Sequence, residues 1–227
     1  MELAIDTASE VASLALTERG ELRAELSWRC RRNHTVELLP ALDRLLAQAG
    51  ATKEDLEAVF VCLGPGGYTG LRAGVATAQG LAYALGIAAL GVGRLELDAY
   101  PHRGCGRPVV PVHRAGRGAL AWAAYSAGED DDLRQLLAPR ISSAEALARE
   151  APAGALFCGE VDEELACLLR EATGAQAVLG AAGRRRAAYL GELGYRRLTR
   201  HGGVPPASLR PLYLREPAVG PSSNSMI

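Results

Sequence analysis

Lysine is all but missing from this chain of 227 residues: Lys53 is the single one, and nearly every other cation is arginine. A chain written that way produces arginine runs by composition alone, so such runs carry less weight here. Aromatic residues make up only 5%, which leaves the core to Leu, Val and Ala packing. The net charge of −1 gives no overall pull towards nucleic acid or acidic lipid. The five cysteines, Cys30, Cys62, Cys105, Cys158 and Cys167, are odd in number and contain no C-x-x-C pair. That excludes a disulfide framework and a zinc site at ligand spacing, and points to free thiols in a reducing compartment. His34, His102, His113 and His201 form neither H-x-x-x-H nor H-E-x-x-H. No metal or cofactor is expected. No apolar run approaches the roughly 20 residues of a membrane helix. Met1 runs directly into Leu3-Ala4-Ile5, without the regions of a leader. The expectation is a cytoplasmic protein that meets no membrane.

What is present reads as an ordinary globular chain, 48% hydrophobic and 22% charged. Leu3–Asp6, Val11–Leu16 and Leu22–Trp28 read as three strands so closely spaced that they form an antiparallel meander. A helix follows from Thr35 to Gln48. Its apolar positions Val36, Leu38, Leu39, Leu42, Leu45 and Leu46 exceed one narrow stripe, so it has two faces to bury. Gly50 ends it. The apolar run 58–63 reads as a buried strand, residues 69–85 as a helix, and Ile87–Leu90 as a strand. That is a β-α-β crossover.

The second half repeats the theme with strands at Val109–Val112, Leu120–Tyr125 and Ala155–Cys158. Helices are expected at Ser143–Glu150 and Glu163–Ala172, and a solvated acidic turn at Glu129–Asp132. Gly183–His201 reads as a long helical stretch interrupted at Gly191 and Gly194. The organisation expected is a first lobe over 1–100, a second over 101–216 that includes this C-terminal helical stretch, and a mobile polar tail over 217–227.

The most specific stretch is Gly64-Pro65-Gly66-Gly67-Tyr68-Thr69-Gly70-Leu71-Arg72, between a strand and a small-residue helix. A glycine turn at a helix N-terminus either leaves amides free for an anion or lets another backbone come close. No lysine follows, so it is not a P-loop. Asp6 and Thr7, at the end of the first strand, read first as a hydrogen-bonded turn.

Four segments resemble the TsaB (YeaZ) family: Met1–Glu10, His34–Pro40, Gly64–Ala82 and Pro211–Arg215. The resemblance implies an α/β, actin/hexokinase/Hsp70-like (ASKHA) fold of two lobes, each a mixed sheet flanked by helices. It implies a non-catalytic scaffold or activating subunit in the threonylcarbamoylation of adenosine 37 of ANN-decoding tRNAs. The implied partners are a TsaD-like transferase, which carries the metal, a TsaE-like ATPase in the assembled complex, and a possible second copy. tRNA is reached only through the complex.

Nucleotide-binding members of that superfamily place glycine in the hairpin after the first-strand aspartate. Here Asp6-Thr7-Ala8-Ser9-Glu10 has none, and Glu10 would repel phosphate. A small phosphotransferase or ATPase is therefore the alternative rather than the leading reading, and a peptidase ranks below it for want of paired histidines. The family's Asp-Ala-Arg-Arg-Gly-Glu-like segment is replaced by Arg114-Ala115-Gly116-Arg117-Gly118-Ala119, read as a surface hairpin. Partner contacts are expected through Leu38, Leu39, Leu42, Leu45, Gly70, Arg72, Ala73, Gly74, Ala76 and Thr77. Asp6, Thr7, Gly64, Pro65, Gly66, Tyr68 and Thr69 are expected to build structural turns. The basic stretch holding Arg184–Arg186, Arg196, Arg197, Arg200, Arg210 and Arg215 reads as a solvated face, with a minor tRNA contact as the sharper possibility.

Overall fold

A computed structural model describes residues 1–30, 33–129, 132–183 and 185–214. The tail at 217–227, Arg184 and Arg215 of the basic stretch, and Asp130 and Asp131 of the acidic turn lie outside the described residues. The chain folds as two five-stranded mixed sheets with the same layout. In the first, β1 (Glu2–Asp6), β2 (Val11–Glu18) and β3 (Glu21–Arg29) form the antiparallel meander. β4 (Ala58–Gly64) and β5 (Ala88–Gly93) add in parallel, giving the order β3-β2-β1-β4-β5. α1 (His34–Ala49) follows the meander, and α2 (Tyr68–Leu85) makes the crossover.

The register sets the layers. Leu3, Ile5, Val59 and Val61 face α1 and α2, while Ala4, Ala15 and Phe60 face the opposite way. Every residue of β1 is buried, as a strand covered on both faces requires. The hairpin between β2 and β3 turns through Arg19 (φ 54°) and Gly20 (φ 80°), the two positive φ values of a tight hairpin. The buried Glu2 carboxylate accepts from the backbone N–H of both, and from the Thr17 hydroxyl at 2.7 Å.

The second sheet repeats the plan. β6 (Val109–Arg114), β7 (Leu120–Ala127) and β8 (Leu133–Ser142) form a meander; β9 (Leu156–Gly159) and β10 (Gln176–Ala177) add in parallel. α4 (Ala144–Glu150) and α5 (Glu163–Thr173) cover one face. Between the two sheets lies α3 (Arg94–Ala99), whose Leu95 and Ala99 pack on Val109, Ala123 and Cys158 of the second sheet.

α6 (Ala187–His201) departs from the sequence reading in three ways. It begins at Ala187, so Arg185 and Arg186 precede it. It packs Leu190 and Leu193 against Ala4 and Phe60 of the first sheet, rather than belonging with the second lobe. Gly191 and Gly194 do not interrupt it. A Cβ on Gly191 would meet Thr17, and one on Gly194 the Phe60 ring, so these glycines let the helix lie close on the sheet. β8 and α3 are additions to the sequence reading. β8 is an exposed edge strand holding Pro139, which an edge tolerates because its missing N–H faces no partner.

Candidate functional site

The glycine turn serves close approach. A Cβ on Gly66 would drive into the Ala8 carbonyl, one on Gly70 into the Thr7 carbonyl, and one on Gly74 into the Thr7 hydroxyl. The Thr7 hydroxyl donates to the Gly70 carbonyl at 2.7 Å, and the Gly67 N–H reaches the Ala8 carbonyl at 3.2 Å. The turn thus docks the β1–β2 hairpin onto the start of α2. Asp6 closes its own turn, accepting from the Ala8 N–H at 3.0 Å. Gly64, at φ 98°, precedes a cis Pro65. Tyr68 stacks on Tyr213 with ring centroids 5.6 Å apart, and Arg72 lies 4.1 Å over the Tyr68 ring.

This turn forms one wall of a cleft of about 610 Å3 between the lobes, shared with Ser9, His34, Arg94, His113 and Glu160. Arg94, at the start of α3, is 2% exposed. Its guanidinium donates to Glu160 Oε1 at 2.5 Å and lies 2.7 Å from His113 Nδ1. That nitrogen is also 2.9 Å from Glu160 Oε2. Burial alone would raise the Glu160 carboxyl; hydrogen bonding from His113 and the Arg94 charge instead carry it far below the ordinary carboxylate range. The Arg114 backbone N–H donates to the same carboxylate at 2.9 Å. The 114–119 hairpin therefore contributes to the cleft wall through Arg114 and Ala115 and is not merely a surface turn.

Deeper in, Arg185 grips Asp6 through Nε and Nη2 and reaches Asp98 Oδ1 at 3.3 Å. A metal does not fit this seat. Asp6 has both oxygens engaged and a guanidinium against it. Among the described residues, no three His, Cys, Asp or Glu side chains come together as a metal would need.

The outer surface of α1 and α2 is the second feature. Thr69, Arg72, Ala76, Gly80 and Tyr83 recur at helical spacing and are exposed; Ala73 and Thr77 are half-buried beside them. Tyr83 is 86% exposed, Val36 72% and Leu39 53%. Five residues expected to meet a partner point the other way. Leu38, Leu42 and Leu45 fill the core beneath α1, and Gly70 and Gly74 face the Thr7 hairpin. The reason is geometric: the sheet takes the 38-42-45 stripe, because the buried faces of Leu3, Ile5, Val59 and Val61 lie beneath it.

A family model described as TsaD: tRNA N6-adenosine threonylcarbamoyltransferase matches residues 28–155, more than half of the chain. The Escherichia coli tRNA threonylcarbamoyladenosine biosynthesis protein TsaB is 35% identical over 131 residues, which is 56% of each chain. This chain belongs to the TsaB (YeaZ) family. It spans little more than half the length of the curated relatives it matches. A Pseudomonas aeruginosa structure, titled an uncharacterized protein with similarity to peptidase YEAZ, superimposes over 94% of this chain and 99% of that one. Its TM-score is 0.77, at 26% identity. An activator of 2-hydroxyisocaproyl-CoA dehydratase from Clostridium difficile shares the fold at 10% identity and a TM-score of 0.51, over 87% of this chain and 95% of that one. The two-lobed α/β architecture expected from the sequence, each lobe a mixed sheet flanked by helices, is the one present.

The TsaB family motifs at Asp6–Thr7 and Gly64–Arg72 meet in one place, where hairpin and helix dock. The sequence reading missed the ionic centre of the cleft: Arg94, Asp98, Glu160 and Arg185. Arg94 and Asp98 stand four apart in R-L-E-L-D, the one signal that one face of a short helix carries an ion pair. Arg185 was hidden within an arginine run.

Proposed function

We propose that this chain acts in forming threonylcarbamoyladenosine on tRNA as a non-catalytic partner subunit. It seats the outer face of α1 and α2 on a TsaD-like transferase, with a TsaE-like ATPase in the assembled complex and tRNA reached only through it. The observation that carries the reading is that face, with Val36, Leu39, Ala76, Gly80 and Tyr83 exposed on two adjacent helices. An apolar strip of that kind marks an association site, and its small residues permit a close helix approach. The name of the Escherichia coli relative supports the pathway. The Asp6–Arg185 pair supports a non-catalytic role, because it ties up the carboxylate at the end of the first strand.

Reconstituted modification tests this. A TsaD-like protein, given tRNA and the activated threonylcarbamoyl donor, should transfer faster with this chain than without it, and the chain alone should transfer nothing. Transfer by the isolated chain would contradict the non-catalytic role.

A further inference from the structure

Two buried carboxylates share one guanidinium beneath the cleft. Asp6 ends β1 in the first lobe and is 1% exposed; Asp98 lies on α3, between the sheets, and is 6% exposed. Two carboxylates so placed repel, and one would take a proton unless a cation lies between them. The chain supplies that cation from a third segment. Arg185 sits between β10 of the second sheet and α6 on the first, and its side chain is 8% exposed. Its fork spans both acids: Nε and Nη2 to Asp6, Nη1 to Asp98, and Nη2 also 3.3 Å from the Ser9 hydroxyl. Burial alone would raise the Asp6 carboxyl, and the Arg185 charge and hydrogen bonds hold it below its ordinary value instead.

Arg94 does not replace it. Arg94 Nε stands 3.5 Å from Asp98 Oδ2, yet neither atom makes a hydrogen bond, and the other end of Arg94 serves Glu160. A planar fork that reaches two separate carboxylates suits a guanidinium better than a compact ammonium or a spherical ion.

We propose that Arg185 is a built-in cation: its guanidinium permanently fills a seat between Asp6 and Asp98 and latches the two lobes without any ligand. The seat is selective for guanidinium. This rests on the cleft alone and is independent of the docking face of α1 and α2.

The test is chemical rescue of Arg185→Ala, read by thermal melting. Breaking a buried pair while leaving its acids behind should lower the melting temperature by roughly 10 °C. Millimolar guanidinium chloride should recover at least half of that loss, saturably, while equal sodium chloride or urea recovers none. Neither the wild-type chain nor Asp6→Asn/Arg185→Ala should gain from guanidinium. An Arg185→Ala chain that melts like wild type, or that sodium chloride rescues equally, overturns the proposal. Should Arg185→Ala give no folded protein, Arg185→Gln is compared with Asp6→Asn/Arg185→Gln. The double variant should melt higher, having lost the unpaired charge; an equal or lower melt overturns the proposal as well.

Discussion

The Thr7 hydroxyl lies where a Cβ on Gly74 would sit. That relationship separates the two faces of α2. Gly74→Leu should destabilise the first lobe by about 2 kcal/mol or more through overpacking, seen as a lower urea midpoint. Any loss of partner binding should only follow loss of fold. A Gly74→Leu chain with an unchanged midpoint would mean that the hairpin yields at no cost.

Acid should weaken the fold through Asp6 and Glu160. Both carboxyls are held below their ordinary values in the folded chain, by Arg185 against burial and by His113 and Arg94 against burial. Between the folded values and those of the unfolded chain, about 3.9 for Asp and 4.3 for Glu, the unfolded state binds more protons. The stability they contribute is therefore full above about pH 5 and is lost as pH falls through the folded values. Urea midpoints across pH 2–6 should fall steeply for wild type and less steeply for Asp6→Asn. Parallel curves would dismiss the contribution of Asp6.

Arg94 ties the lobes by contacts to Ala8, Pro65, His113 and Glu160. Arg94→Ala leaves the Glu160 carboxylate without its guanidinium, while Asp98 keeps Arg185. Such a loss costs about 3 kcal/mol, and equilibrium unfolding should show it. Unfolding indistinguishable from wild type would mean that the cleft cluster does not join the lobes.

The C-terminal arginines already have partners within the chain. Arg197 pairs with Glu96, Arg200 lies 3.4 Å from Asp132, and Arg196 donates to the Tyr100 hydroxyl at 3.2 Å. Replacing all three with Ala should lower the melting temperature but leave tRNA binding by the assembled complex within about twofold, without flattening its salt dependence. A clear drop in affinity and salt slope would restore the tRNA contact suggested by the sequence.

The first lobe was largely legible because its signals are local. The 58–63 run is covered on both faces, Gly50 caps α1 at φ 64°, and the glycine turn stands where hairpin meets helix. β8 was not legible, since its half-exposed pattern and Pro139 resemble a loop. Gly191 and Gly194 misled, because helix propensity ignores the sheet that presses on them. Two faces of α1 were apparent from Val36 to Leu46, but which one the sheet takes depends on residues far away, at Leu3 and Val59. The cleft ions were out of reach for the same reason: Asp6 and Arg185 are 179 residues apart.

The docking claim is tested most directly by sedimentation velocity of the chain mixed with a TsaD-like partner, comparing wild type with Ala76→Arg. Ala76 is exposed on α2, so the variant should melt like wild type. The account predicts a joint boundary for wild type and two separate boundaries for Ala76→Arg. A folded Ala76→Arg chain that still sediments with its partner would place the interface elsewhere.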